Sequence, residues 1–221
     1  MCLPFAAGTP HSFRALARSV PADWTVVAGG HRGVPGLEPS ADALVAHYLA
    51  ALSTDLRGPG ILLGHSMGAV IAYRLARALG AGWPSGVALV LSAPPDGFPD
   101  WHLLPDPELI EIARGFGLVP AAIDDDTLTR FVLPPLRFDL QSISGGWGPL
   151  APIGGPTHVM TGREDVKLSR PAVERLAADV GAGGVLEVAG PHMFVCTNPD
   201  DTARELVRIA ETMEHPCETG R

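Results

Sequence analysis

A serine lies between two glycines at residues 64–68, in the sequence Gly-His-Ser-Met-Gly. The apolar residues before this segment indicate a short strand, and residues 69–79 after it indicate a helix. A Gly-x-Ser-x-Gly sequence in this setting is typical of a nucleophile elbow, a sharp turn that holds the serine hydroxyl above a sheet. Gly64 and Gly68 would avoid collisions with neighbouring backbone, and the helix N-terminus would favour developing negative charge. The chemistry indicated is nucleophilic catalysis by Ser66.

A serine hydroxyl is a poor nucleophile at neutral pH and needs a general base within hydrogen-bond reach. In hydrolases built on such an elbow, the partners follow in the chain order serine, acid, histidine. Three histidines come late enough in the chain. His158 lies inside a predicted strand, His192 lies in a loop directly after one, and His215 lies in the polar C-terminal tail. The position at the end of a strand favours His192 as the base.

The acid of such a triad is expected in the loop after the preceding strand, where Glu164 and Asp165 are adjacent. Asp165 is the predicted acid, because Gly-x-x-Asp after this strand is the spacing that such folds use. Glu164 is interpreted as a solvated neighbour, and Asp96, after the predicted strand at 87–91, is a less favoured alternative. An acid that fixes the imidazole tautomer and stabilises the imidazolium should be buried and ionised.

The tetrahedral intermediate of this chemistry needs two backbone N–H donors to stabilise its oxyanion. The N–H of Met67, which follows the nucleophile, is expected to be one of them. The second normally comes from a loop after an early strand, and residues 3–9 form a small-residue loop in that position. We expect Ala6 to supply this second donor.

Short apolar strands alternate with helices along the chain, and these elements must position the candidate residues. Strands are predicted at 24–28, 59–63, 87–91, 157–160 and 185–188. Helices that would cover the sheet are predicted at 12–19, 41–52, 69–79, 171–180 and 200–213. Near-continuous Val, Leu and Ile strands that alternate with helices are typical of a parallel sheet covered on both faces. The predicted fold class is therefore α/β, with a mostly parallel central sheet.

The pattern changes between residues 94 and 156, which are rich in Pro and Gly and carry no strand signal. Short helices are indicated at 106–115 and 124–133, with regularly spaced apolar residues between and around them. A tract of this length between two core strands is either a functional insertion or a disordered linker. Its apolar content predicts a folded helical insertion at about 96–150, which would act as a lid over Ser66.

Composition limits the classes to which the chain could belong. Its 221 residues suit a single domain over 1–221, and 46% hydrophobic with 18% charged residues is typical of a soluble globular protein. The net charge of −8, with no run of Lys and Arg, argues against a nucleic-acid partner. The longest apolar run is too short for a membrane span, and the start lacks the pattern of a secretory signal. Cys2, Cys196 and Cys217 are too few for a disulfide framework or a zinc site, so a cytoplasmic location is expected.

Five segments resemble the motifs of the type II thioesterases of polyketide and nonribosomal peptide assembly lines, which are stand-alone α/β-hydrolases. Residues 4–8 read Pro-Phe-Ala-Ala-Gly beside the family's Pro-His-Ala-Gly-Gly, and residues 64–68 match its Gly-His-Ser-Met-Gly. Residues 162–165 match Gly-x-x-Asp, and residues 190–194 are similar to its Gly-x-His-Phe. Residues 133–139, Leu-Pro-Pro-Leu-Arg-Phe-Asp, are similar to its Leu-Pro-x-Leu-Arg-x-Asp. The resemblance spans nearly the whole chain.

The resemblance implies an α/β-hydrolase fold and hydrolysis of acyl thioesters on the phosphopantetheine arm of acyl or peptidyl carrier proteins. The usual role in that family is editing, the removal of stalled or mis-primed acyl groups. It implies a triad of Ser66, Asp165 and His192, no metal or other cofactor in the chain, and carrier-protein domains as partners. Phe5 and Ala7 depart from the family pattern, which has His and Gly in their places. We expect a monomer.

Other functions share parts of this pattern. A general carboxylesterase or an acyl-CoA thioesterase would use the same triad and would not need a carrier protein. Malonyl-type acyltransferases also carry Gly-His-Ser-x-Gly, but their chains are usually longer and the order serine, acid, histidine does not suit them. A non-catalytic binding module with a hydrolase fold is the alternative from a different class, and the complete triad argues against it.

Overall fold

A five-stranded parallel sheet forms the centre of the computed structural model, which describes residues 1–55 and 59–214. Its strands follow one another in chain order from one edge to the other: β1 (Cys2–Leu3), β2 (Gly60–His65), β3 (Val87–Ser92), β4 (Thr157–Gly162) and β5 (Val185–Val188). The predicted α/β fold with a parallel sheet is confirmed, and four of the predicted strands match β2 to β5 within two residues. His215 and Cys217 lie outside the described residues.

The segment predicted as a strand at 24–28 does not form one. It contributes a single bridge, in which the Cys2 N–H donates to the Val27 carbonyl at 2.8 Å and the Gly29 N–H donates to the Cys2 carbonyl at 2.8 Å. The neighbouring β1 is only two residues long, so a longer ladder would have no partner on this edge. The β-branched residues of the segment fit a strand, and the shortness of the edge overrides that preference.

Helices cover both faces of the sheet within the described ranges. In chain order they are α1 (Leu16–Ser19), α2 (Ala41–Asp55), α3 (Met67–Leu79), α4 (Asp106–Gly115), α5 (Asp125–Phe131), α6 (Leu133–Ser142), α7 (Arg170–Asp179), α8 (Phe194–Thr197) and α9 (Pro199–Glu214). The predicted helix at 12–19 is shorter than expected, because a 3-10 turn at Pro10–Phe13 precedes α1. None of these helices combines the length and the apolar character that a membrane span requires.

Alternate residues of the central strands enter two separate apolar cores. Leu62 and Leu89 belong to the core beneath α2, α3 and the helices that follow β3, whereas Leu63 and Val90 belong to the core beneath α1, α8 and α9. Successive side chains of a strand point to opposite faces, so a strand buried on both faces must be apolar at every position. This requirement explains why the sequence of β3 is continuously apolar up to its last residue.

The segment between β3 and β4 is a folded helical insertion, as predicted. Helix α4 has the predicted bounds, α5 begins after Asp124, whose carboxylate accepts the Thr127 N–H at 2.8 Å, and α6 starts with prolines in its first turn. Leu109 and Leu136 are fully buried against the core on the α3 side. The insertion therefore packs on the core beneath α3, the helix that directly follows Ser66.

Candidate active site

Ser66 occupies a strained turn between β2 and α3. Its φ of 54° and ψ of −116° lie outside the regions that side chains normally adopt. A Cβ placed on Gly64 would lie 2.1 Å from the Gly68 carbonyl oxygen, and one on Gly68 would lie 2.3 Å from the Leu3 carbonyl oxygen. Both glycines are therefore required by backbone contacts, for the steric reason that the motif indicates. The Ser66 N–H donates to the Ser92 carbonyl at 2.8 Å, which fastens the turn to β3.

The structure brings the three candidate triad residues together. His192 Nε2 lies 3.1 Å from the Ser66 hydroxyl oxygen, and His192 Nδ1 lies 2.7 Å from Asp165 Oδ2. The side chains of His192 and Asp165 are 3% and 0% exposed, respectively. This geometry allows the imidazole to take the serine proton while the buried carboxylate fixes the tautomer and stabilises the imidazolium.

Two hydrogen bonds fix the positions of the Asp165 carboxylate and of the loop that carries His192. The second carboxylate oxygen of Asp165 accepts the Lys167 N–H at 2.9 Å, so both oxygens of this buried group are used. The carboxylate of Glu164 is exposed to solvent, as expected, but it also accepts the Gly190 N–H, two residues before His192. Glu164 is thus a solvent-exposed neighbour of the acid, and its carboxylate in addition holds the loop that carries the imidazole.

Asp96, the alternative acid, takes a different place. Its carboxylate accepts the Ser169 N–H at 2.8 Å, at the start of α7, while the imidazole of His192 is bonded to Asp165. His158, the histidine predicted inside a strand, lies in β4, where burial lowers its pKa. The residues that contact one another, Ser66, His192 and Asp165, are thus those that the chain order serine, acid, histidine indicates.

The elbow histidine is a second buried imidazole beside the site. His65 is fully buried, its Nδ1 lies 2.9 Å from the Ser92 hydroxyl, and its ring centroid lies 5.7 Å from that of His192. Burial, and secondarily the neighbouring His192, lowers the pKa of His65 well below its ordinary value. A neutral ring at this position places no like charge against the imidazolium that the mechanism forms.

The two candidate oxyanion donors line the same cavity as Ser66. Met67 is the first residue of α3, where a helix leaves its N–H groups without partners inside the helix. Ala6 is the second residue of a turn in which the Gly8 N–H donates to the Phe5 carbonyl at 2.7 Å. Ala7, the third residue of this turn, has a φ of 63°, a value that favours glycine.

An apolar cavity of about 780 Å³ opens above the serine. Its floor is formed by the two candidate oxyanion donors together with Ser66 and His192. Its walls are mostly apolar side chains of the insertion: Phe98, Trp101, Leu104, Ile112, Phe116, Leu140 and Ile143. The Phe116 ring packs edge-on against His192, with 4.9 Å between ring centroids. A cavity of this size and character suits an extended acyl chain next to the reactive hydroxyl.

Sequence reasoning gave no role to one buried residue that touches the candidate oxyanion loop, although this residue ends the matched segment 133–139. The Asp139 carboxylate, 1% exposed, accepts the Ala7 N–H at 2.7 Å across 132 positions of the chain. A signal was present in the helix pattern, because Leu133, Leu136 and Asp139 recur at helical spacing on the face that α6 buries. A buried acidic side chain needs hydrogen-bond partners, so the helical spacing alone could have indicated that Asp139 has such partners.

No group of three or more His, Cys, Asp or Glu side chains is arranged to hold a metal ion among residues 1–55 and 59–214.

Comparisons with known proteins agree with this geometry. The thioesterase domain family matches residues 1–146. AMB antimetabolite synthetase AmbE of Pseudomonas aeruginosa is 27% identical over 217 residues, which are 91% of this chain and 10% of that protein. Thioesterase PikA5 of Streptomyces venezuelae is 33% identical over 181 residues, which are 76% of this chain and 64% of that protein. The chain thus spans about a tenth of the length of the synthetase and nearly two thirds of PikA5.

A solved structure is similar over almost its whole length. BorB, a type II thioesterase from the borrelidin biosynthetic cluster, superposes with a TM-score of 0.77 and 26% identity, covering 96% of this chain and 91% of that one. The five parallel strands, the serine elbow and the helical insertion are thus those of the α/β-hydrolase fold. Because the family match covers well over half of the 221 residues, the chain belongs to the thioesterase domain family.

Proposed function

We propose that the chain is a stand-alone type II thioesterase, which hydrolyses acyl thioesters on the phosphopantetheine arm of carrier proteins. The observation that carries this proposal is the hydrogen-bonded series Ser66–His192–Asp165 at the floor of an apolar cavity, in a member of the thioesterase family. The similarity of the chain to PikA5, a thioesterase, and to BorB, a type II thioesterase, supports it.

The proposed reaction has two halves. In the first, His192 Nε2 takes the Ser66 proton as the hydroxyl oxygen attacks the thioester carbonyl carbon, and the N–H groups of Met67 and Ala6 stabilise the oxyanion. The intermediate collapses, the carbon–sulfur bond breaks, and the thiolate leaves with the proton that His192 returns. The thiol is a good leaving group because its pKa is only about 8.5.

In the second half, His192 takes a proton from water, and the resulting hydroxide oxygen attacks the acyl-serine carbonyl. The same two N–H groups stabilise the new oxyanion. Collapse breaks the bond between the acyl carbon and the serine oxygen, releases the carboxylic acid and returns the proton to Ser66. Asp165 keeps the imidazole in the tautomer that both halves need. This chemistry needs no metal or cofactor held by the chain, since the phosphopantetheine arrives on the partner.

The helical insertion supplies the acyl-chain site and acts as a lid in this proposal. Its side chains form most of the cavity wall, and Phe116 contacts the base directly. Rigidifying residues 106–133, for example with an engineered disulfide, should change acyl-chain preference and rate, measured with acetyl, hexanoyl and decanoyl thioesters. Unchanged preference and rate after this restraint would refute the lid.

Editing is the role that we propose for this activity, with acyl and peptidyl carrier proteins as partners and a monomer as the working form. AmbE is an antimetabolite synthetase and BorB belongs to the borrelidin biosynthetic cluster, so both relatives come from biosynthetic systems.

The deciding experiment compares hydrolysis of acetyl- and hexanoyl-loaded carrier protein with that of a simple p-nitrophenyl ester. Ser66→Ala is the control for the serine mechanism, and retained turnover in this variant would eliminate it. Carrier turnover well above ester turnover supports the proposed thioesterase. Ester cleavage without carrier turnover would instead identify a general esterase.

A further inference from the structure

A second buried carboxylate–histidine pair lies outside the triad and has no part in the reaction just described. Asp139 Oδ1, from α6 of the insertion, lies 2.7 Å from His31 Nε2, and His31 Nδ1 lies 2.8 Å from the Tyr48 hydroxyl in α2. The three side chains are nearly inaccessible to solvent, with at most 3% exposure for each residue. A buried ionisable cluster of this kind needs complete hydrogen bonding, and here each member has a partner.

The direction of these hydrogen bonds follows from the groups involved. Burial, together with the nearby Asp139 carboxylate, raises the pKa of the Tyr48 hydroxyl, which therefore remains a phenol. The Asp139 carboxylate can only accept a hydrogen bond, so we assign His31 Nε2–H as its donor, with the Tyr48 hydroxyl bonded to Nδ1 on the other side of the ring. One oxygen of Asp139 is thereby fixed from the α2 side, and the other is aimed at the loop of residues 3–9.

That second oxygen holds a turn that is unfavourable for its own sequence. It accepts the Ala7 N–H at 2.7 Å, and the Arg32 guanidinium donates to the Ala7 carbonyl. Ala7 has a positive φ without being glycine, so external contacts must maintain this conformation. Asp139 thus accepts a hydrogen bond from the peptide group that joins Ala6 to Ala7. This peptide group directly follows Ala6, the residue whose N–H is the oxyanion donor in the proposed mechanism.

We infer that Asp139 is a positioning residue for the oxyanion hole: it holds the Ala7 N–H so that the Ala6 N–H is directed toward the reacting carbonyl. This inference rests on the proposed function, since it gives Ala6 the donor role described there. It also makes the insertion part of the catalytic apparatus, because α6 supplies the carboxylate. The geometry requires no contact between Asp139 and the substrate.

The first test compares Asp139→Ala with Asp139→Asn. The alanine variant should lose about 10²-fold in kcat with little change in KM, as expected when a reacting group is misplaced by about an ångström. The asparagine variant should recover most of the rate, because its amide oxygen can accept the Ala7 N–H while its NH₂ group faces His31 in the other tautomer. Asp124→Ala is the matched control, since that carboxylate also accepts a backbone N–H within the insertion but does not contact the loop.

A transition-state mimic separates positioning from stability. An alkyl trifluoromethyl ketone adds the Ser66 oxygen to its carbonyl, passes the serine proton to His192 and leaves an oxyanion in the hole. Its affinity should fall in parallel with kcat in Asp139→Ala, measured on protein shown to be folded by circular dichroism. A lower melting temperature with unchanged kcat and ketone affinity would make Asp139 purely structural and overturn the inference.

Two further variants keep the test decisive. If Asp139→Ala does not fold, Tyr48→Phe removes only the far end of the hydrogen-bonded series, and a smaller parallel loss of kcat and ketone affinity is expected. Ala6→Pro removes the proposed donor at a turn position that accepts proline, and Asp139→Ala should have little further effect in that background. Fully additive losses would contradict the route through Ala6. Absence of Ser66-dependent turnover in the wild-type protein would refute the proposed function itself, whereas normal turnover in both Asp139 variants would refute only this inference.

Discussion

Replacing Asp165 with asparagine should disable the enzyme by reversing the tautomer of His192. Both carboxylate oxygens are occupied, one by the Lys167 N–H at 2.9 Å and the other by His192 Nδ1 at 2.7 Å. Asparagine has one carbonyl oxygen, and the backbone N–H of Lys167 can only donate, so the oxygen is retained on that side. The amide NH₂ group then faces Nδ1 and forces the proton onto Nε2. An imidazole protonated at Nε2 cannot take the serine proton.

The expected loss in kcat is about 10⁴-fold, the effect of a wrong tautomer in a serine triad whose geometry is otherwise intact. That figure corresponds to about 5.5 kcal/mol of transition-state stabilisation. The assay is single-turnover formation of acyl-enzyme from a hexanoyl thioester, because this step requires the base directly and does not depend on product release. The side chains of His192 and Asp165 are almost completely buried, so water cannot replace the lost carboxylate.

Glu164→Gln is the matched control, one residue away in the same turn. Its amide oxygen can still accept the Gly190 N–H that Glu164 holds, so acylation should stay within a few-fold of wild type. A loss of 10⁴-fold in Glu164→Gln with a nearly active Asp165→Asn would move the acid to Glu164 and refute the reasoning. A loss below tenfold in Asp165→Asn would show that the carboxylate does not set the tautomer.

Three further outcomes follow from the backbone and from burial. Gly68→Ala should lower both activity and melting temperature, since the added Cβ would lie 2.3 Å from the Leu3 carbonyl oxygen; wild-type values of both in assay and calorimetry would contradict the contact. Ala7→Gly should raise the free energy of unfolding by about 0–1 kcal/mol, because relief of the left-handed strain exceeds or equals the entropic cost of glycine. A lower free energy of unfolding in denaturant titration would contradict this expectation. Stability should fall as the pH drops below about 6.5, because burial lowers the pKa of His65 in the folded state and the unfolded chain binds the proton more tightly; titrations at pH 7 and pH 5 that show no such fall would contradict it.

The parts of the site that the sequence predicted are those that depend on local backbone constraints. Gly64 and Gly68 are dictated by contacts within the elbow itself, so a five-residue motif contains the information for the turn around Ser66. His192 and Asp165 follow from chain order, because the carboxyl ends of parallel strands meet at one edge of the sheet. In the same way, continuous burial on both faces makes a central strand recognisable from its apolar run.

The features that the sequence did not predict depend on partners that are distant in the chain. Residues 24–28 have the composition of a strand, and only the two-residue length of β1 prevents a longer ladder. The hydrogen bond from the Gly190 N–H to Glu164 spans 26 positions, and no spacing rule marks it. Such contacts depend on how the sheet order places the loops, which a single sequence does not display.

Asp139 shows how a buried polar residue of the helical insertion can contact the loop that carries the proposed oxyanion donor. Helix α6 could pack on the core with an apolar residue at this position, as it does at Leu136, and replacing a whole buried polar cluster by apolar side chains is often neutral or stabilising. Retaining a charge there is reasonable only if its hydrogen bonds do something that packing cannot. Holding the Ala7 N–H in a left-handed turn is such a task, because apolar contacts do not orient a peptide plane. If Asp139 has this task, the insertion contributes to the chemistry as well as lining the cavity above Ser66.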